Sequence, residues 1–176
     1  MELKDHTTPD KLVRYSFLWS EVRLVVAAAS LIFGATPVVY RILGYSLGLV
    51  GPLLMLAWII SGLAGAYLLY RWYTGGMQLF GGRNMTDKAA FAINVVSGIH
   101  LGIAGLSGIN IGMRVVGPLG ILTPVVIVAG LAYLWSAYHL WKRWKASGET
   151  IFIAAPVAPM SPQGGAGADS NTPMPK

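Results

Sequence analysis

The chain contains no cysteine in 176 residues, which excludes disulfides, thiolate metal centres and cysteine nucleophiles. Charge is also scarce. Thirteen Lys and Arg and seven Asp and Glu make 11% of the chain, where a soluble domain carries about 25%. Four long stretches, 24–40, 47–70, 89–112 and 118–141, hold no Asp, Glu, Lys or Arg at all. No carboxylate pair is therefore available inside them for acid–base work, and no histidine–carboxylate cluster has metal-ligand spacing. Proton-coupled transport ordinarily uses a buried acid, and none falls inside these boundaries. Nothing alternates apolar and polar over about ten residues, so a membrane β-barrel is excluded as well. The net charge of +6 does not indicate nucleic acid, because the basic residues sit at the ends of the apolar stretches.

What is present is apolar length. The mean hydropathy is +0.59 and 55% of residues are hydrophobic. A membrane helix needs roughly 17–25 apolar residues. Backbone in lipid must satisfy its own hydrogen bonds, so the four stretches predict transmembrane helices. Eleven of the thirteen basic residues flank one side of these spans, and Arg41 and Arg114 alone flank the other. Basic residues stay in the cytoplasm, which places both termini and the central loop there, in a cytoplasmic membrane of prokaryotic type. Tyr70, Trp72, Tyr73, Tyr138, Trp141 and Trp144 gather on that side, where amphipathic rings anchor at headgroups.

The expected organisation is an all-α membrane protein of two similar hairpins. A cytoplasmic N-terminus with an amphipathic interfacial helix occupies 1–23, with Thr8 as cap and Pro9 in the first turn. The first hairpin is 24–73, a Gly-rich cytoplasmic loop 74–88, the second hairpin 89–145 and a disordered tail 146–176. Val-Gly-Pro-Leu occurs at Val50-Gly51-Pro52-Leu53 and again at Val116-Gly117-Pro118-Leu119, at the same place in each hairpin. A parallel duplication explains that, and so does the independent use of Gly-Pro turns to start helices. The loop sets Met77, Leu79 and Phe80 between two Gly-Gly pairs. It lacks the Gly-Lys-Ser/Thr ending of a phosphate loop and reads as an interfacial anchor. Thr86 is the expected cap of the third helix, with Asp87 in its first turn. In the tail only Ile151-Phe152-Ile153 is apolar enough to dock.

The third span is the most specific. At 100° per residue, Asn94, Ser97, Gly98, Gly105, Gly108 and Gly112 fall within about 100° of arc. Gly98 with Gly102, and Gly108 with Gly112, add small residues four apart. Lipid tails are as apolar as Leu, so membrane helices associate by close backbone approach, and these five glycines are the expected packing surface. Ala57, Ser61, Ala64 and Gly65 form a smaller stripe on the second span. Asn94, His100 and Asn110 are the polar candidates inside the membrane. Bis-histidine haem ligation by His100 and His139 fails on depth: about 16 Å against about 3 Å from the same helix end. His100 reads first as a hydrogen-bonded packing residue. No cofactor, metal site or catalytic residue is expected. The expected partners are the lipid bilayer and other membrane subunits or further copies of the chain, with no nucleic acid. The function this supports is a structural or accessory subunit of a membrane assembly, with a small oligomeric channel or transporter as the alternative.

Overall fold

A computed structural model describes residues 8–33, 37–43, 48–109 and 122–153. Among these the chain is helical: α1 Pro9–Ile32, α2 Val38–Leu43, α3 Val50–Thr74, α4 Met85–Ser107 and α5 Leu122–Ala146. Four of them are long and apolar enough to cross a membrane, which is compatible with a multi-pass membrane protein. They run antiparallel in sequence order. α3 packs along α4, α4 against α5, and α1 closes the ring between α5 and α3. α4 is the centre: 50% of its apolar window is buried, against 33% for α1 and less for the other two. The outer faces present Leu56, Leu63, Val96, Leu106 and Val128.

Three local features differ from the sequence expectation. No break separates an interfacial helix from a first span at Leu24; α1 is one helix of 24 residues. Pro9 and Asp10 sit in its first turn, and Thr8 occupies the cap position without a side-chain cap bond. Val13 and Phe17 of the expected interfacial segment are buried against the bundle. The cap of α4 is Asn84, whose side-chain oxygen accepts from the Thr86 amide at 2.8 Å. α4 then ends at Ser107, because Gly108 takes φ +69 and closes the helix from the left-handed region. The second Val-Gly-Pro-Leu, Asn110 and Gly112 lie outside the described residues.

The end of the bundle bearing the 74–84 loop is tightly closed. Leu79 and Phe80 are 1% and 8% exposed and pack on protein, while Met77 stays exposed. Phe80 and Gly81 have φ of 52° and 76°, and Leu79 and Gly82 exchange both backbone hydrogen bonds at 2.9 Å. This is a type I′ turn, which needs φ above zero at both central residues. Phe80 holds that strained backbone because its amide donates to the Ile151 carbonyl at 2.7 Å while its ring lies under Arg143. The chain beyond α5 thus turns back at 147–153 and seats Ile151, 2% exposed, in the same apolar cluster as Leu79, Phe91 and Trp144.

Candidate functional site

Helix α4 carries the site because one of its faces is nearly free of bulk. An imagined Cβ on Gly102 would stand 2.6 Å from the Gly62 Cα, and one on Gly105 would stand 2.9 Å from the Met55 carbonyl oxygen. A Cβ on Gly98 would meet the Ser61 carbonyl at 3.0 Å. α3 answers with small residues, Ser61 and Ala64 both buried. Gly108 has open space around it and its backbone, not its packing, requires glycine.

That close approach brings polar groups of the other helices together about halfway along the bundle. Arg23 of α1 is 8% exposed. One of its terminal nitrogens donates to the Ser97 hydroxyl at 3.0 Å. The other donates to both the backbone carbonyl and the side-chain oxygen of Asn94, each at 2.7 Å. The Asn94 amide nitrogen turns the opposite way and donates to Glu21 at 3.4 Å. Asn94 thus stands between a cation and an acid of the same helix. Tyr133 of α5 lies within electrostatic reach of Arg23. On the α3 side, Trp19 donates to the Ser61 hydroxyl at 3.0 Å. Asn94 lies nine residues into α4, about 14 Å at 1.5 Å per residue, and Arg23 about 14 Å from the far end of α1. The node is therefore central on both helices.

Glu21 and Arg23 were expected in the flank before the first span, and their burial overturns a bundle without internal charge. Their signal lay in helix continuity: nothing between Pro9 and Ile32 breaks a helix, so both fall on its middle turns. Gly98 is also part of the node, since a Cβ there would crowd the Arg23 guanidinium at 3.4 Å.

A second polar group lies two turns nearer the loop end. Asp87, expected only as a first-turn acid, is fully buried. It accepts from both Arg143, at 3.2 Å to each carboxylate oxygen, and lies 2.7 Å from His139 Nε2. Trp135 stacks on the His139 ring with centroids 5.7 Å apart. Ser136, on the same face of α5, donates to the Ala90 carbonyl at 2.8 Å. His139 is therefore oriented by Asp87. His100 is half-buried, engaged in an interaction of its own, and lies about 120° around α4 from Asn94. Among the described residues no group of three or more His, Asp or Glu side chains is arranged to hold a metal ion.

Chemically the node holds a buried cation on neutral hydrogen-bond acceptors and sets a buried carboxyl beside it. No family model matches this chain, and neither a curated protein nor a solved structure is matched by it.

Proposed function

We propose that the chain is an integral membrane protein with four transmembrane spans, serving as a structural or accessory subunit of a membrane assembly. The observation that carries this is the anchoring of Arg23 on α4. Arg23, the costliest group to bury in lipid, has both terminal nitrogens occupied by α4. Such a network ties helices into one register more than it adds net stability. The glycine contact of α3 with α4 supports the same reading, because it leaves no aqueous gap along that seam. The apolar outer faces would meet lipid and neighbouring subunits, either further copies of this chain or other membrane proteins. With Arg23 inside a span, ten basic residues still flank one side against two on the other. Both termini and the 74–84 loop are then cytoplasmic, in a membrane of prokaryotic type.

The alternative, a small oligomeric channel or transporter, gains from Glu21: an acid within a span is what proton coupling needs. Two measurements separate the readings. Crosslinking in native membranes followed by isolation of the full chain is expected to recover a discrete larger complex, and purified chain in liposomes is expected to pass no more ions than empty liposomes. Flux that disappears in Asn94→Leu would establish the transporter and overturn the subunit reading. Topology is checked without background because the chain lacks cysteine. Single cysteines at Thr86 and Ser147 are expected to resist an impermeant thiol reagent in intact cells, and one at Ser46 to react.

A further inference from the structure

We propose that Glu21 is a proton-binding site at the centre of the bundle, and that Arg23 shifts its hydrogen bonds according to whether Glu21 holds the proton. The proposal is independent of the subunit reading, since the measurement below reads the carboxyl and not the partners.

The geometry separates two charged groups that sit two residues apart. Glu21 is 5% exposed. Its hydrogen bond to Asn94 is long, 3.4 Å. Arg23, two residues on and therefore on another side of α1, makes no ion pair with it, and the guanidinium donates to the Asn94 carbonyl, the Asn94 side-chain oxygen and Ser97. An ionised carboxylate in an apolar interior without a full partner is strongly unfavourable, and the group takes up a proton instead. The arrangement seen is that of a neutral acid beside a cation held by neutral acceptors. Arg23 also keeps its Nε fully buried without a hydrogen-bond partner among the described residues, a donor left for a second arrangement. Ser20, beside Glu21 in sequence, has a fully buried hydroxyl that is likewise unpartnered.

The surroundings hold few competing groups. α4 faces the pair with Asn94 and Ser97, both uncharged, and α5 with Tyr133. α3 contributes Ser61, already bonded to Trp19, and its first titratable residue along the chain is Tyr67, whose hydroxyl bonds Pro9. The Asp87, His139 and Arg143 group lies seven residues along α4, about 10 Å away. Among the described residues the titratable neighbours that bear on Glu21 are therefore Arg23 and, through Arg23, Tyr133.

The step balances simply. The O–H bond of the Glu21 carboxyl breaks, the electron pair stays on the carboxylate, and the proton passes to water or a buffer base. Arg23 keeps its own proton throughout. The new carboxylate then attracts the guanidinium away from the Asn94 side-chain oxygen. Because those bonds join α1 to α4, the contact between the two helices changes with the proton.

The test uses the full chain in liposomes and infrared spectroscopy. A carbonyl band of a protonated carboxyl, shifted by exchange into deuterium oxide, is expected at neutral pH and expected to vanish in Glu21→Gln. In Arg23→Gln the same band should persist to higher pH, because the neighbouring positive charge that favours ionisation is gone. Dicyclohexylcarbodiimide, an apolar reagent that adds a protonated carboxyl across its C=N bond, should label Glu21 in the native chain and spare Glu21→Gln. Absence of the band at neutral pH, or its survival in Glu21→Gln, would overturn the proton site. An unmoved titration in Arg23→Gln would overturn the part given to Arg23. Gln is the neutral isostere of the protonated acid, so a Glu21→Gln chain that fails to fold would also overturn the proposal, by showing that the fold requires the ionised form.

Discussion

The two sides of α4 are held by opposite means. Toward α3 the contact is made by removing side chains, with Gly62 and Gly102 so close that a Cβ on either would stand 2.6 Å from the other's Cα. Toward α1 it is made by adding charged and polar ones, Arg23 and Glu21 on Asn94 and Ser97. The first contact gains dispersion from backbone proximity and has no tolerance for volume. The second gains hydrogen bonds whose alternative is an unsatisfied polar group in an apolar medium, and it has no tolerance for losing a partner. A glycine seam fixes how near two helices lie, whereas a polar node fixes how far one may slide along the other.

The comparison can be broken first on the glycine side. Gly102→Leu should cost about 3 kcal/mol, the top of the overpacking range, read as thermal unfolding in detergent. The same change at the exposed Ile103 should cost under about 0.5 kcal/mol. Equal melting of the two variants would mean that α3 and α4 do not touch there. Next comes the polar side. Asn94→Leu removes the side-chain bond to Arg23 and the one to Glu21, while the backbone carbonyl still accepts from Arg23, and should cost about 2 kcal/mol by the same readout. If it were neutral, the node would be without structural weight.

Smaller effects sharpen the contrast. Gly108→Leu meets open space but must adopt a positive φ, so a loss of about 1 kcal/mol is expected. A loss as large as that of Gly102→Leu would show a packing role after all. At the loop end, Asp87→Asn should cost about 1 kcal/mol, since Arg143 is partly exposed and its pairing is screened. It should also free the His139 ring, visible as a changed imidazole nuclear magnetic resonance signal. The smallest effect concerns Glu149. The hydrogen bond from Lys145, with the charges of Lys145 and Arg14, holds its carboxyl below the usual 4.5. A depressed carboxylate stabilises the folded state above the unfolded value, and that contribution is lost as pH falls through the folded value. The Glu149 contribution should therefore be flat from neutral pH to about 5 and be lost below 4.5, read as a slight extra decline in melting that is absent in Glu149→Gln. An identical acid profile in both chains would remove Glu149 from the account.

Much of this was legible because it is local. Long uncharged stretches imply helices wherever they lie, and the spacing of Gly98, Gly102 and Gly105 on one face of α4 is a property of the helix alone. The partner of that face was not legible, and Gly62, its nearest neighbour, stood outside the stripe read on α3. Arg23 and Glu21 were misplaced for a related reason. A hydropathy pattern ends a span at the first charge, and the groups that hydrogen-bond these two lie more than seventy positions away. Gly108 continued the stripe by period, but its own backbone left the helix. Leu79, Phe80 and Ile151 have the same hydropathy whether they meet lipid or each other.

By itself the sequence determined that four long apolar helices form, which faces are apolar and which end carries the basic and aromatic residues, because backbone hydrogen bonding and side-chain period act within a few residues. The tertiary structure alone decided that the charged middle of α1 is buried, that Asn94 stands between Glu21 and Arg23, that Asp87 orients His139, and that Ile151 returns to cover Phe80. Each of these depends on groups distant in the chain meeting in a medium that leaves unpaired polar atoms no other partner.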